Sequence, residues 1–430
     1  MFEKKIAKAK YTEDFNVLIK NVMFNSIGFF FLEFIIPIYA KQELAATGLE
    51  VGFLFSIQTI GFLISSFLAG YLVDKLESRK KLILLGSIGR GIAYFILYFG
   101  IAFRHLILMD IGTFNIGFFA GFFWIPFDTI IAEKSHKDHR SFAYGKRDSA
   151  VGIGLFFGSI LGFGIYYFGL ELFPENLFII YSSVIIYGIS NFYAGIQFHS
   201  KVDESTKYID SEKNIDNTTL SHQKEKVNIG IISGFVFFNF VILLASINGT
   251  LAKPFLNIYA VEVIVNDPTI ASYAYIPSGI VAMYLAPKLG KLIDKIKPYY
   301  SVSIISILGA IVTFGLINTD NFFVFALLLS LDTAVVNLAN LLVQNIYSRV
   351  SIGHRGKVMS SYRFFMSSGS IIGPILGGIT LDFLGLQAPF LISILVELSL
   401  IPIYLFAIYL IKPRLTESFK ENENIAIKKI

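Results

Sequence analysis

Long apolar stretches separated by short polar turns run through almost the whole chain. A stretch of about 20 residues, rising about 1.5 Å per residue, matches the ~30 Å hydrocarbon core of a bilayer. Read in such windows, the pattern predicts helices near residues 17–40, 49–73, 82–103, 106–132, 149–171, 176–198, 228–252, 270–292, 299–318, 321–348, 361–384 and 387–411, about twelve spans in all. The stretch 200–226 interrupts them, being rich in Lys, Glu, Asp, Ser and Asn and without apolar periodicity. It reads as a flexible linker. The predicted layout is a segment 1–16, a six-helix bundle 17–199, the linker 200–226, a second six-helix bundle 227–412 and a tail 413–430. Residues 1–15 alternate Lys with apolar residues, without a cleavable-signal layout, and read as a short interfacial helix.

The two halves repeat each other. Gly70-Tyr71-Leu72-Val73-Asp74-Lys75 returns as Gly290-Lys291-Leu292-Ile293-Asp294-Lys295, 220 residues later, and the same offset aligns Ile38-Tyr39-Ala40 with Ile258-Tyr259-Ala260. Gly154, Gly158 and Gly162 match Gly369, Gly373 and Gly377 at an offset of 215, as Arg140 matches Arg355. Matches that share an offset and keep their order indicate an internal repeat, a common plan of membrane transporters.

Composition sharpens the membrane reading. Hydrophobic residues are 54% of the chain and charged ones 16%, against about 25% in soluble domains. Mean hydropathy is +0.65. Lys and Arg gather in alternate turns: Lys75, Arg79, Lys80 and Lys81; Lys134, Lys137, Arg140, Lys146 and Arg147; Lys291, Lys295 and Lys297; Arg349, Arg355 and Lys357. The opposite loops offer little beyond Lys41 and Arg104. By the positive-inside rule both termini are expected in the cytoplasm, with the basic turns against anionic lipid. That also accounts for the net charge of +5 without nucleic acid.

Several chemistries drop out. Cysteine is absent, and the six His residues form no ligand cluster in the sequence. No G-x-x-x-x-G-K-[ST] occurs, so nucleotide hydrolysis on this chain is not expected. No cofactor or metal is expected, and energy should come from gradients. Asn217-Thr218-Thr219 has the glycosylation pattern but falls in the predicted cytoplasmic linker, where chance explains it better.

The stretch Gly70, Leu72, Asp74, Lys75, Arg79, Lys80 and Lys81 resembles the loop 2–3 signature of the major facilitator superfamily, with Glu77-Ser78 where the signature has a glycine. Gly290, Asp294 and Lys295 form a looser second copy. Gly369-Ser370-Ile371-Ile372-Gly373-Pro374-Ile375-Leu376-Gly377-Gly378 is similar to the family's antiporter motif, displaced here from the fifth span to the eleventh. The resemblance implies an all-α fold of twelve transmembrane helices in two pseudo-symmetric six-helix bundles. It also implies that Asp74 caps the start of the eleventh helix near Ser360, and Asp294 the start of the fifth near Ser149, closing the cytoplasmic side. The physical basis is that a helix N-terminus favours a carboxylate; the alternative is that these charges only set topology.

Polar residues inside the spans carry the functional question, because charge at the bilayer centre is costly and tends to face a cavity. The 220-residue offset pairs Ser26 with Ser246 and Glu33 with Lys253, with seven residues, two helical turns, from each serine to the charged residue on its predicted face. Glu33 and Lys253 are expected to pair across the outer half of a central cavity, with protonation of Glu33 loosening them; the alternative is that each reaches the interface alone. Thr333, Asn337, Asn340 and Gln344 fall on one face of the tenth span, lining the cavity or bonding a neighbouring helix. Asp332 beside them is a second candidate proton carrier or a permanently protonated acid, and Asn239 joins the candidate pathway. Arg90 and Asp128 lie at similar depth and are expected to form a structural ion pair. Glu397 has no partner assignable from sequence. The 44 phenylalanines read as lipid-facing and packing residues, and the glycine ladders as close helix contacts.

The expected function is transport of a small organic solute by alternating access, with the solute near mid-membrane between the halves. Proton coupling through Glu33 or Asp332 is favoured, including efflux antiport, and the direction is open. An uncoupled facilitator and a transport-inactive sensor or scaffold are the rival readings. An enzyme is not expected, for want of a catalytic constellation in the spans. The partners expected are the solute, protons and membrane lipids, without nucleic acid, for a monomer in the cell membrane.

Overall fold

The computed structural model describes residues 11–76, 78–135, 140–206, 229–279, 298–350 and 355–411. Regular structure among them is helical, apart from an isolated bridge between Tyr11 and Ser135. The chain divides into two compact units, Met1–Ala46 with Phe53–His222, and Thr47–Gly52 with Gln223–Ile430. Ten stretches among the described residues are helical, long and apolar enough to cross a membrane. The predicted sixth span corresponds to a further helix, Ser183–Lys201, and most of the predicted eighth lies outside the described residues.

In the first unit the helices are α1 (Phe15–Asn25), α2 (Phe29–Gln42), α3 (Gly48–Lys75), α4 (Arg79–Ala102), α5 (Leu106–Glu133), α6 (Arg140–Leu172), the single turn α7 (Leu177–Ile180) and α8 (Ser183–Lys201). The predicted first span is thus two helices. Gly28 between them has φ +99°, a left-handed conformation that a Cβ would strain, and the Tyr187 ring lies 2.5 Å from where that Cβ would be. Ser26 and Glu33 fall on opposite sides of this break, so their seven-residue spacing does not place them on one helical face. α4 packs on α5 and α8, and α1 on α6 and α8, around Phe15, Leu18, Val22, Ile83, Phe123 and Phe127.

In the second unit the helices are α9 (Ile229–Leu251), α10 (Lys253–Tyr259) running into a π-helical turn (Ala260–Ile264), α11 (Pro268–Tyr273), α12 (Pro298–Leu316), α13 (Phe322–Val350), α14 (Arg355–Leu384) and α15 (Ala388–Ile411). The predicted seventh span ends at Leu251, and Lys253 opens the next helix with Pro254 in its first turn. Ser246 and Lys253 therefore do not share a continuous helix either, since proline cannot donate to the preceding turn. α9 packs on α14 and α15, and α12 on α13 and α15. Residues 47–52 belong with this unit because Asp382 of α14 accepts hydrogen bonds from the N–H groups of Gly48 (2.5 Å) and Leu49 (2.8 Å), capping the start of α3.

Without a hydrophobic drive between helices in lipid, close backbone approach does the work of association. The glycine ladders supply it in both units. A Cβ on Gly158 of α6 would lie 2.7 Å from the Gly28 nitrogen, and one on Gly377 of α14 would lie 1.9 Å from the Leu251 carbonyl oxygen of α9. Phe67, Phe157, Phe323 and Phe383 point outward instead, exposed as lipid-facing residues are.

Candidate functional site

Four polar groups stand within the apolar helices of the second unit. Asn248 comes from α9, Ser306 from α12, Asp332 from α13 and Glu397 from α15. Asp332 lies roughly 15 Å of helical rise from the start of its span, so it is near mid-bilayer. Asn248 Nδ2 donates to Glu397 Oε2 at 2.7 Å, and the Ser306 hydroxyl is placed to donate to the same carboxyl group. Among the described residues no Lys, Arg or His forms an ion pair with Asp332 or Glu397. An ionised carboxylate at that depth costs about 2.5–3.5 kcal/mol on insertion scales. One turn beyond Asp332, Val335 packs on the apolar core of Phe238, Val241, Val302, Ile305 and Leu400.

The first unit buries a charge of the opposite sign. Arg90 on α4 is fully buried, donates from NH1 to Asn25 Oδ1 and from NH2 to the Asn25 carbonyl (3.3 Å) and the Tyr94 hydroxyl (3.4 Å), and stands over the Phe29 ring at 4.6 Å. Asn25 is the last residue of α1, so the guanidinium sits at the negative end of a half-helix. Asn25 Nδ2 donates to Asn191 Oδ1 at 3.0 Å, and Ser190 Oγ to the Phe24 carbonyl at 2.7 Å, so the break has its carbonyls occupied. The expected Arg90–Asp128 pair does not form: Asp128 bonds Arg147 of α6, and the side chain and carbonyl of Asn25 at the break hold Arg90. Sequence reading missed Asn25 and Asn191, although amides inside apolar spans were the available signal.

At the end of the first unit that carries the basic turns, Arg79 NH1 pairs with Glu133 at 2.6 Å, and its backbone N–H donates to Glu204 Oε1 at 2.6 Å. Lys75 folds onto the Tyr71 hydroxyl and ring, and Gly70 faces open space. Lys134, buried, donates to Asp14 Oδ2 (2.7 Å) and to the carbonyls of Asp203 (2.6 Å) and Thr206 (2.9 Å), tying three segments together. Hydrogen bonds from the Ser205 hydroxyl, then Thr206, hold the Asp203 carboxyl below the usual carboxylate range. Gly290, Asp294 and Lys295 lie outside the described residues, as do the Asp74 and Ser360 side chains, so the latch expected of them falls there too.

The model of the Major Facilitator Superfamily matches residues 21–351 and 239–428, nearly the whole chain. The chain belongs to the Major Facilitator Superfamily. Solved structures share the fold at low identity. A point mutant of the nucleoside transporter NupG is 14% identical, covers 91% of this chain and 99% of its own, and gives a TM-score of 0.70. A bacterial homologue of the human lysosomal transporter Spinster, in an inward-facing and occupied conformation, is 13% identical, covers 93% and 97%, and scores 0.69. A proton dependent oligopeptide transporter structure is 13% identical, covers 93% and 98%, and scores 0.68. No curated protein matches significantly by sequence. Superfamily membership makes this a multi-pass membrane protein and a secondary transporter of small molecules rather than an enzyme.

The remaining candidates divide. Ser26 is fully buried and bonds its own helix at Val22 O (2.8 Å). Ser246 donates to the Met366 carbonyl of α14 (2.5 Å), and Asn239 joins Phe235 O (2.9 Å) and Ser361 Oγ (3.0 Å). Each of the three is turned onto a neighbouring backbone or side chain. Glu33 and Lys253 are exposed on their own units. Thr333 returns to Leu329 O (3.0 Å), Asn337 is half-buried, Asn340 is exposed, and the Gln344 side chain lies outside the described residues. No three His, Asp or Glu side chains among the described residues converge to hold a metal.

Proposed function

We propose that this superfamily member is a proton-coupled secondary transporter that moves a small organic solute by alternating access. The observation that carries the reading is Asp332: a carboxylic acid at the middle of an apolar span, with no cation paired to it among the described residues. Such a group is uncomfortable as a fixed anion and works well as a reversible proton carrier. The shared fold with a proton dependent oligopeptide transporter supports the same reading. The alternation of basic and non-basic turns supports placement in the cell membrane with both termini cytoplasmic. A single chain carries both units of the fold, in keeping with a monomeric carrier.

The test is pH-dye fluorescence in proteoliposomes challenged with nucleosides, peptides, sugars, amino acids, organic acids and hydrophobic cations, with empty liposomes as control. Solute-dependent proton movement that Asp332→Asn abolishes is expected, and its direction separates symport from antiport. Solute counterflow without proton movement would identify an uncoupled facilitator and overturn the coupling.

A further inference from the structure

We propose that Glu397, held by Asn248 and Ser306 at the junction of α9, α12 and α15, is a site for an exchangeable proton. The site stands apart from Asp332 and goes beyond the coupling reading, since an acid can bind and release a proton in a carrier that moves none.

The junction recurs in both units with its charge reversed. In the first, α8 packs on α1 and α4, and the three helices bring together Asn25, Arg90 and Asn191. In the second, the helices at the same places in the repeat are α9, α12 and α15, and α15 packs on both of the others. At the repeat offsets of 215 and 220 the counterpart of Arg90 falls between Ile305 and Ala310, a stretch without charge that contains Ser306 and Gly309. A Cβ on Gly309 would lie 4.0 Å from Glu397 Cγ, so the acid rests where α12 has least bulk. Asn248 Nδ2 donates to Glu397 Oε2 at 2.7 Å, and Ser306, 4% exposed, offers its hydroxyl to the same carboxyl group. The first unit thus keeps a resident cation at this junction, and the second an acid with two neutral donors.

No fixed cation takes the place of Arg90 there among the described residues. Glu397 is half-buried, roughly 14 Å of helical rise into its span, and forms no ion pair with Lys, Arg or His. α9 carries no titratable residue, and α12 has Tyr299 and Tyr300 in its first turn. α14, which also packs on α15, carries Arg355, Lys357, Tyr362 and Arg363 toward its start and, at its end, Asp382, which caps α3. α15 itself adds Tyr404 and Tyr409. α13 reaches the junction through Val335, one turn beyond Asp332, with Cγ1 3.4 Å from the same Gly309 position.

A second observation points to the proton. Asn248 is only 6% exposed, and while its Nδ2 donates to Glu397, its Oδ1 is buried without a donor. A buried amide oxygen without a donor is costly. An ionised carboxylate cannot relieve it, because it only accepts. A protonated carboxyl and a primary amide match each other with two hydrogen bonds, N–H to the carbonyl oxygen and O–H to the amide oxygen. Oε2 already takes the first, and a proton on Oε1 supplies the second. The same proton removes a fixed anion from mid-span, so one small cation answers both the unmet oxygen and the unmatched charge.

The test is pH-difference infrared spectroscopy of the purified full-length protein in lipid, which reads carboxylic C=O bands and no transport. One pH-dependent band that Glu397→Gln removes and Asp332→Asn retains is expected. Asn248→Ala keeps the acid and should move that band to higher wavenumber without removing it, as a C=O that loses a donor does, which keeps the proposal testable if Glu397→Gln fails to fold. No band lost in Glu397→Gln, a band unmoved by Asn248→Ala, a band present at every pH, or a band that sodium removes at constant pH would each overturn it. The third of these would make Glu397 a permanently protonated packing group, and the last a site for a metal cation. A titrating Glu397 band without solute-driven proton movement would uphold the site and sink the coupling reading, whereas solute-driven proton movement without a titrating Glu397 band would do the reverse.

Discussion

The two units bury charge in opposite ways. In the first, Arg90 is fully buried, yet its partners are fixed: the Asn25 side chain and carbonyl at the end of α1, the Tyr94 hydroxyl and the Phe29 ring. In the second, Asp332 and Glu397 are half-buried mid-span, with no cation paired to either among the described residues and a neutral donor, Asn248, on Glu397. A charge held by an amide, a backbone carbonyl and a helix end has fixed partners and holds a helix break in shape. A carboxylate without a fixed counter-charge is costly as a permanent anion, and the proposed proton coupling is assigned to it on that ground. The lesson is that burial alone does not mark a working group in a membrane protein; the absence of a fixed counter-charge does.

Breaking the fixed half of this comparison should have the largest effect. Arg90→Met leaves both acceptors of Asn25 without donors and is expected to destabilise the protein by about 3 kcal/mol. Arg90→Lys should recover less than half, because an ammonium does not fork to two acceptors. Asp332→Asn, by contrast, should leave stability within about 1 kcal/mol or raise it, since it removes an intramembrane charge. Thermal unfolding in detergent, followed by Trp124 fluorescence, separates these outcomes, and equal losses in Arg90→Met and Asp332→Asn would dissolve the distinction.

The comparison sharpens if packing is equivalent in the two units while electrostatics are not. Gly158→Val and Gly377→Val each place atoms where backbone now passes, and each should cost about 1–3 kcal/mol by the same melting assay. A large loss in one and none in the other would mean that the repeat in sequence is not a repeat in packing.

The smallest effect concerns acid response outside the membrane. Asp203 is held below the usual carboxylate range by Ser205 and Thr206, so its contribution is fully present above the ordinary Asp value of about 3.9 and fades only as pH falls through its own lower value. Nuclear magnetic resonance of the Ser205 and Thr206 amides should therefore show the turn intact at pH about 4 and loosening below it. Loosening already near neutral pH would show that the first unit also carries a labile acid.

Much of the fold was legible because its causes are local. Span length, basic turns and repeated glycines follow from bilayer thickness, membrane charge and helix packing, each readable along one segment. The site was less legible. Asp332 stood out as a lone acid in an apolar helix, but Asn248 and Glu397 are 149 residues apart in sequence and only the packing of α9 on α15 brings them together. Spacing arguments failed at Ser26 with Glu33 and Ser246 with Lys253, because they assume an unbroken helix. The breaks fall at Gly28, whose backbone is left-handed, and at Ala252, two residues before Pro254, local signals that spacing alone does not weigh.

By itself, then, the amino-acid order determined that this chain crosses a membrane many times as two related halves, and which turns between helices carry basic charge. Those properties depend on residues within a helical turn or a span of one another. Tertiary structure alone decided that Arg90 is matched by a helix end rather than by Asp128, and that Glu397 meets Asn248. Charge compensation in a low-dielectric interior acts over a few ångströms, and which groups come that close is a matter of how helices distant in sequence pack.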